Sequence, residues 1–278
     1  MRFVPLYAAA AMATAFTAAP ALADHHTDAA AMERALNLEG ILQHPRRADD
    51  RARDRYRHPI ETLAFFQVQP EMRVVEYGPG GGWYTRVLMP YLAPSGVYMA
   101  LQGDTGPLEE GQAPWAERFM TAVQERGWGE GGTTYAFESD EIPEDIAGTA
   151  DRVLIFRSLH GLLNSNSADR ELRAIRSLLS DDGYVGVVQH RAPEAASYAD
   201  SNGSRGYLRQ SDVVRLFELN GFELYAQSEV NANPDDSADY PRGVWTLPPT
   251  LTLGDEDRAR YEAIGESDRM TLLFRKRD

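Results

Sequence analysis

The chain has 278 residues, 43% of them hydrophobic and 25% charged, which suits one large mixed domain with a real core. It has no cysteine, which excludes disulfides, thiolate catalysis and Cys-ligated zinc or iron–sulfur sites. Its net charge of −14, with no uninterrupted basic run, argues against a nucleic-acid partner.

In chain order, Arg2 precedes an alanine-rich apolar run over residues 4–16, and Ala21-Leu22-Ala23 forms a small-x-small site before Asp24. This is the form of a secretory signal peptide over residues 1–23, cut after Ala23, so a periplasmic or secreted protein is expected. The run is mostly alanine, and Pro5 and Pro20 interrupt it, which disfavours a lasting membrane anchor. Residues 24–45 read as a polar tail, with His25 and His26 at its start and a short helix over 30–38. Residues 46–278 read as a single domain. It opens with Arg46, Arg47, Arg51, Arg53, Arg55 and Arg57 interleaved with Asp49, Asp50 and Asp54, which reads as a solvated, ion-paired helix over 49–56. An amphipathic helix over 59–66 follows, placed to cover a sheet.

From Arg73 the pattern alternates. Strands are expected at 73–77, 97–102, 133–137, 151–157, 183–189, 222–228 and 270–275. Helices are expected from Thr85 to Pro90, at 115–126, at 169–179 and at 210–219, the last capped by Gly221. Strands separated by helices imply crossover units and a mostly parallel sheet. The last two strands lack an obvious helix between them, so one of them is expected to be antiparallel.

The most informative stretch follows the first strand. Val74 and Val75 suit a central strand, and Gly78, Gly80, Gly81 and Gly82 allow a sharp turn into a helix start, where free backbone N–H groups favour a nucleotide-like ligand. A dinucleotide fingerprint would need a third glycine where Trp83 stands. A phosphate loop would need a Gly-Lys pair, and the sole lysine is Lys276. What remains is Glu76-x-Gly78-x-Gly80-x-Gly82.

That string resembles motif I of the class I S-adenosylmethionine-dependent methyltransferases. The segments Arg157-Ser-Leu-His160-Gly-Leu-Leu163 and Gly221-Phe222 resemble that family's acceptor-side loop and penultimate helix end, and the run from Asn231 through Gly243-Val-Trp245 to Lys276 is similar to an exported group within it. The resemblance implies an α/β, Rossmann-like, seven-stranded class I methyltransferase fold. Its sheet would be mostly parallel with one antiparallel strand, and helices would cover both faces. It also implies S-adenosylmethionine as cofactor, a small-molecule acceptor, and cofactor-binding roles for Glu76, Tyr77, Gly78, Gly80, Gly82, Gln102, Asp140 and Arg157. Gln102 stands where the family has a ribose-binding acid, and Asp140 falls on the adenine-side loop.

His160 follows the fourth strand and His190 ends the fifth, so both are expected in one crevice. There a neutral imidazole could take the acceptor's proton, or each ring could simply cap its strand. Arg157 and Arg191 flank them and could bind an anionic acceptor, or form surface ion pairs. Tyr77, Trp83 and Tyr84 could face a sulfonium or serve as packing. Asn231, Asn233 and Asp236 lie in a loop that could act as a lid. A metal site from His160, His190 and Asp236 has no support from spacing, and none is assigned. A small-molecule-binding protein repurposed from the same fold is the alternative reading.

Overall fold

The computed structural model describes residues 25–129 and 132–277, so the leader expected over 1–23 lies outside the described residues. Helices α1 (His25–Gln43), α2 (Asp54–Arg57) and α3 (Pro59–Phe65) come first, followed by strand β1 (Arg73–Tyr77), α4 (Thr85–Leu92) and β2 (Val97–Gln102). Then come α5 (Trp115–Glu125), β3 (Thr133–Glu138), β4 (Ala150–Phe156), α6 (Leu159–Asn164), α7 (Ala168–Leu178) and β5 (Leu179–Ala192). The chain closes with α8 (Tyr198–Ser201), the two-residue β6 (Leu208–Arg209), α9 (Gln210–Leu219), β7 (Phe222–Ser228), α10 (Arg258–Ile264) and β8 (Arg269–Lys276).

The strands lie in the order β3-β2-β1-β4-β5-β8-β7, with β6 paired to β5 off this path. Pairings from β3 through to β5 are parallel, and β8 runs antiparallel to both β5 and β7. The β4 residues Val153, Leu154, Ile155 and Phe156 are buried in succession, as in a central strand covered on both faces. One face carries Leu63, Phe66 and Leu88 from the α3–α4 side. The other carries Leu172 and Ile175 of α7 and Phe217 of α9. In α7 the buried positions Ala168, Glu171, Leu172, Ile175 and Leu178 recur at helical spacing, the stripe an amphipathic helix presents to a sheet.

The fold expected from the sequence is therefore present, with local differences. α4 continues through Pro90 to Leu92, because burying Tyr91 and Leu92 outweighs the backbone hydrogen bond that proline removes. α1 is longer than the expected 30–38 helix and begins at His25. The expected helix over 49–56 is instead a 3₁₀ turn (Arg51–Arg53) running into the single turn of α2, which ends at His58 with φ of 39°. Only part of that segment is solvated: Asp49, Arg51 and Arg55 are exposed. Arg47 and Arg57 are buried, and their guanidinium groups lie over the Trp83 ring, 4.8 and 4.5 Å from its centroid.

Candidate active site

The strand order reverses between β1 and β4, and a crevice outside the carboxyl ends of the strands is the usual ligand position in such a sheet. A cavity of about 420 Å³ opens there. The turn after β1 forms one wall. Arg157 and His160 after β4, together with His190 near the end of β5, form the next. Glu266 and Ser267, before β8, face them, and Arg53 and Arg57 reach in from the N-terminal segment.

The glycines of the turn do different things. Gly78, Gly80 and Gly82 have φ of 61°, 53° and 75°, a region that side chains disfavour. Above Gly80 and Gly81 the space is open: a Cβ on Gly81 would meet nothing within 4 Å, and one on Gly80 only the Gly78 carbonyl at 3.9 Å. Gly82 differs, since a Cβ there would lie 2.7 Å from the Trp128 ring. It admits an aromatic ring of this chain rather than a ligand. Glu76 turns inward, and one of its oxygens accepts hydrogen bonds from Tyr98 (2.6 Å) and Thr85 (2.8 Å), pinning the first turn of α4. Burial pushes its carboxyl up to about 7, against the lowering effect of those two bonds.

The other cofactor residues expected from the sequence are split. Arg157 shares the cavity with Glu76, Gly78 and Gly80, whereas Tyr77, Gln102 and Asp140 do not line it. Tyr77 donates to Glu171 of α7 at 3.2 Å, and the pair fills the space beside Gly103. Trp83 and Tyr84, by contrast, both line the cavity, and Tyr84 stacks on Phe156 with centroids 3.5 Å apart. Gln102 ends β2 half-buried, and its side chain has no hydrogen-bond partner among the described residues. Asp140 is exposed and lines a second cleft with Asp104 and Glu138. Those three acids are the one group of potential metal ligands close enough to share an ion among the described residues; His160, His190 and Asp236 do not form such a group.

The two histidines do converge, with ring centroids 5.9 Å apart. They are not equivalent. The Gln189 amide N–H₂ donates to the Gly206 carbonyl at 2.9 Å, which fixes the amide's orientation and directs its other N–H towards Nδ1 of His160 at 3.4 Å. Nδ1 of His160 must then accept, so the neutral ring carries its proton on Nε2 and acts as a donor. His190 holds Ser267 Oγ through Nδ1 at 2.6 Å, and either atom can donate. When His190 donates, its Nε2 lone pair is free to act as a base. Burial, followed by the Arg157 charge and His160, holds the His190 pKa well below the ordinary histidine value. Burial lowers that of His160 as well, so both rings are neutral at pH 7.

Apart from Arg157, the charge of the cavity comes from residues to which the sequence assigned no role there. Glu266 is shared by Arg53 (2.6 Å), Arg57 (3.2 Å) and Arg269 (3.0 Å). Burial alone would raise its pKa, but Arg57, Arg269 and Arg53 outweigh that and hold it at about 2. The Arg157 guanidinium has no hydrogen-bond or ion-pair partner among the described residues, and its backbone sits at φ of 57°. Burial and the neighbouring Arg269 charge lower its pKa to about 10. Arg191 lies outside the cavity, paired with Glu229 at 2.6 Å and Asp268 at 2.8 Å, so of its two expected roles it takes the ion pair and not the anion site. The loop expected as a lid is anchored: Asn231 donates to Thr62 and Thr271, Asn233 donates to the carbonyls of Ile264 and Glu266, and Asp236 accepts from Tyr207. Further along, Trp245 and Pro248 do border the cavity, and Trp245 meets His160 edge-on at 5.9 Å.

No protein-family model matches the sequence, and no curated protein matches it. Solved structures do. The [4+2]-cyclase SpnF is 16% identical with a TM-score of 0.51, the match covering 90% of this chain and 94% of that one. The chain shares that protein's Rossmann-like α/β fold, with a mostly parallel sheet and one antiparallel strand within it. An S-adenosylmethionine-dependent methyltransferase from Aquifex aeolicus is 17% identical with a TM-score of 0.49, over 70% of this chain and 93% of that one. The trans-methyltransferase CalH, crystallised with S-adenosylhomocysteine, is 17% identical with a TM-score of 0.44 over 78% of this chain; the present chain spans 55% of its length.

Proposed function

We propose that this protein is an exported S-adenosylmethionine-dependent methyltransferase acting on a small molecule. The observation that carries the reading is the joint placement of an open, positive-φ glycine turn and a neutral, base-competent His190 on one cavity. When bound, S-adenosylmethionine supplies an electrophilic methyl group on a sulfonium, and its transfer leaves the neutral thioether and releases one proton from the acceptor. The turn at Gly80 and Gly81 would receive the amino-acid end, where no side chain obstructs approach. Gln102, whose amide is unpartnered among the described residues, would hydrogen-bond the ribose, and Asp140 the adenine amino group. His190 Nε2 would accept the acceptor's proton while its Nδ1–H donates to Ser267, and His160 Nε2–H would orient the acceptor's oxygen. Holding acceptor and methyl in line is the larger part of the catalysis.

Calorimetric titration of the protein with S-adenosylmethionine and S-adenosylhomocysteine tests this. Micromolar binding of both supports it, and no heat with either removes it. Export is tested by cell fractionation, where the processed chain is expected outside the cytoplasm.

The second reading, a small-molecule-binding protein on the same fold, draws on two observations. Trp128 covers Gly82, and Gln102 and Asp140 lie off the cavity. A fold shared with a [4+2]-cyclase does not by itself dictate methyl transfer.

A further inference from the structure

The cavity holds more positive charge than its own acids balance. Arg53, Arg57 and Arg269 share the single carboxylate of Glu266, which also acts on Arg157 from beyond ion-pair distance. Arg86, also on the wall, is neutralised separately by Asp50 at 2.6 Å. Glu76 adds less than a full negative charge near pH 7, because burial favours its neutral form against the two hydrogen bonds it accepts from Tyr98 and Thr85.

Arg57 is the most telling member. Its side chain is 2% exposed, and only Nε has a partner, Glu266. Nη1 and Nη2 are buried without any hydrogen-bond partner. A buried, unsatisfied guanidinium edge is costly and is ordinarily matched by an acceptor. Arg57 lines the cavity and is held rigidly, with its guanidinium carbon 4.5 Å from the Trp83 ring centroid and its Nε on Glu266. A sulfonium does not satisfy these donors, since it offers no acceptor and carries the same sign of charge.

The geometry points to an oxyanion site: Arg57 and Arg157 together bind a carboxylate or phosphate group carried by the molecule on which the protein acts. That the anionic group belongs to the methyl acceptor rests on the methyltransferase reading; the anion site itself does not. His160 Nε2–H adds a neutral donor to the same cavity.

The test uses inorganic phosphate as probe on the purified protein, by calorimetry and thermal shift, in parallel with S-adenosylhomocysteine. Phosphate is expected to bind saturably, and Arg157→Met and Arg57→Met are each expected to weaken it by about tenfold or more. Arg157 makes no side-chain hydrogen bond, so Arg157→Met should fold normally and keeps the test decisive if Arg57→Met does not fold. Arg191→Met, outside the cavity, should leave phosphate affinity unchanged. The proposal is overturned by absence of phosphate binding, or by binding that neither cavity variant alters. It is also overturned if only S-adenosylhomocysteine binds and Arg157→Met abolishes that binding, since the arginines would then serve the donor's own carboxylate. Phosphate binding without S-adenosylhomocysteine binding upholds the anion site and removes the methyltransferase reading instead.

Discussion

Among single residues, Glu76 makes the sharpest physical prediction. Its folded-state pKa of about 7 lies above the ordinary 4.5, so the native protein keeps this proton over a range in which the unfolded chain has lost it. Below pH 4.5 both states are protonated and the group carries no penalty. As the pH rises towards 7 the unfolded state ionises first, and native stability falls by about 3 kcal/mol at most. Glu76→Gln removes the ionisation while its amide oxygen can still accept from Tyr98. The variant should be the more stable at pH 8 and should match the original near pH 4, as read from denaturant melts at both pH values. A variant less stable at pH 8 would show that the carboxylate is needed as a charge. The sequence identified this acid and its glycines by position, but not its inward orientation. That orientation depends on Tyr98, one strand over, and no local pattern encodes it.

Secondary-structure elements were the most legible part of the chain, because continuous apolar runs such as Val153–Phe156 leave few alternatives to a buried strand. The helix α3 and its following residue Phe66 show how tightly those elements are keyed. Gly186 of β5 faces the Phe66 ring, and a Cβ there would lie 2.7 Å from it. Gly186→Ala should therefore push α3 off the sheet and cost roughly 1–3 kcal/mol, measurable as a lower unfolding midpoint with the m value unchanged. A neutral result would mean that Phe66 swings away freely. The arginine-rich segment was the least legible. An alternation of Arg and Asp is what a solvated helix shows, and the signal that separates the two cases is tertiary. Trp83 takes the place of a third glycine and receives the arginines on its faces. With hindsight, a tryptophan inside a glycine turn and six arginines within twelve residues are complementary features. Neither alone specifies the contact.

For the whole molecule, sign and location of charge oppose each other. The chain carries −14 overall, yet its cavity is lined by guanidinium groups with too few acids to balance them. An approaching anion is repelled at long range and attracted only once inside. Screening shortens the repulsive reach from about 30 Å at 0.01 M salt to about 8 Å at 0.15 M. The association rate of phosphate, followed by stopped flow, should therefore rise across that interval, whereas a site fed by a positive exterior would show a falling rate. A falling rate would place the entrance on a locally positive patch.

The shared carboxylate has a further consequence for how this protein comes into being. Glu266 stands 213 and 209 positions after Arg53 and Arg57, the arginines it balances. A nascent chain can complete β1 to β5 and close the glycine turn long before that acid has been synthesised. Until it arrives, Arg53 and Arg57 lack the carboxylate they share, whereas Arg47, on the same indole, already has Asp54. The segment that carries Glu266 must therefore be made before Arg53 and Arg57 have their shared counter-charge.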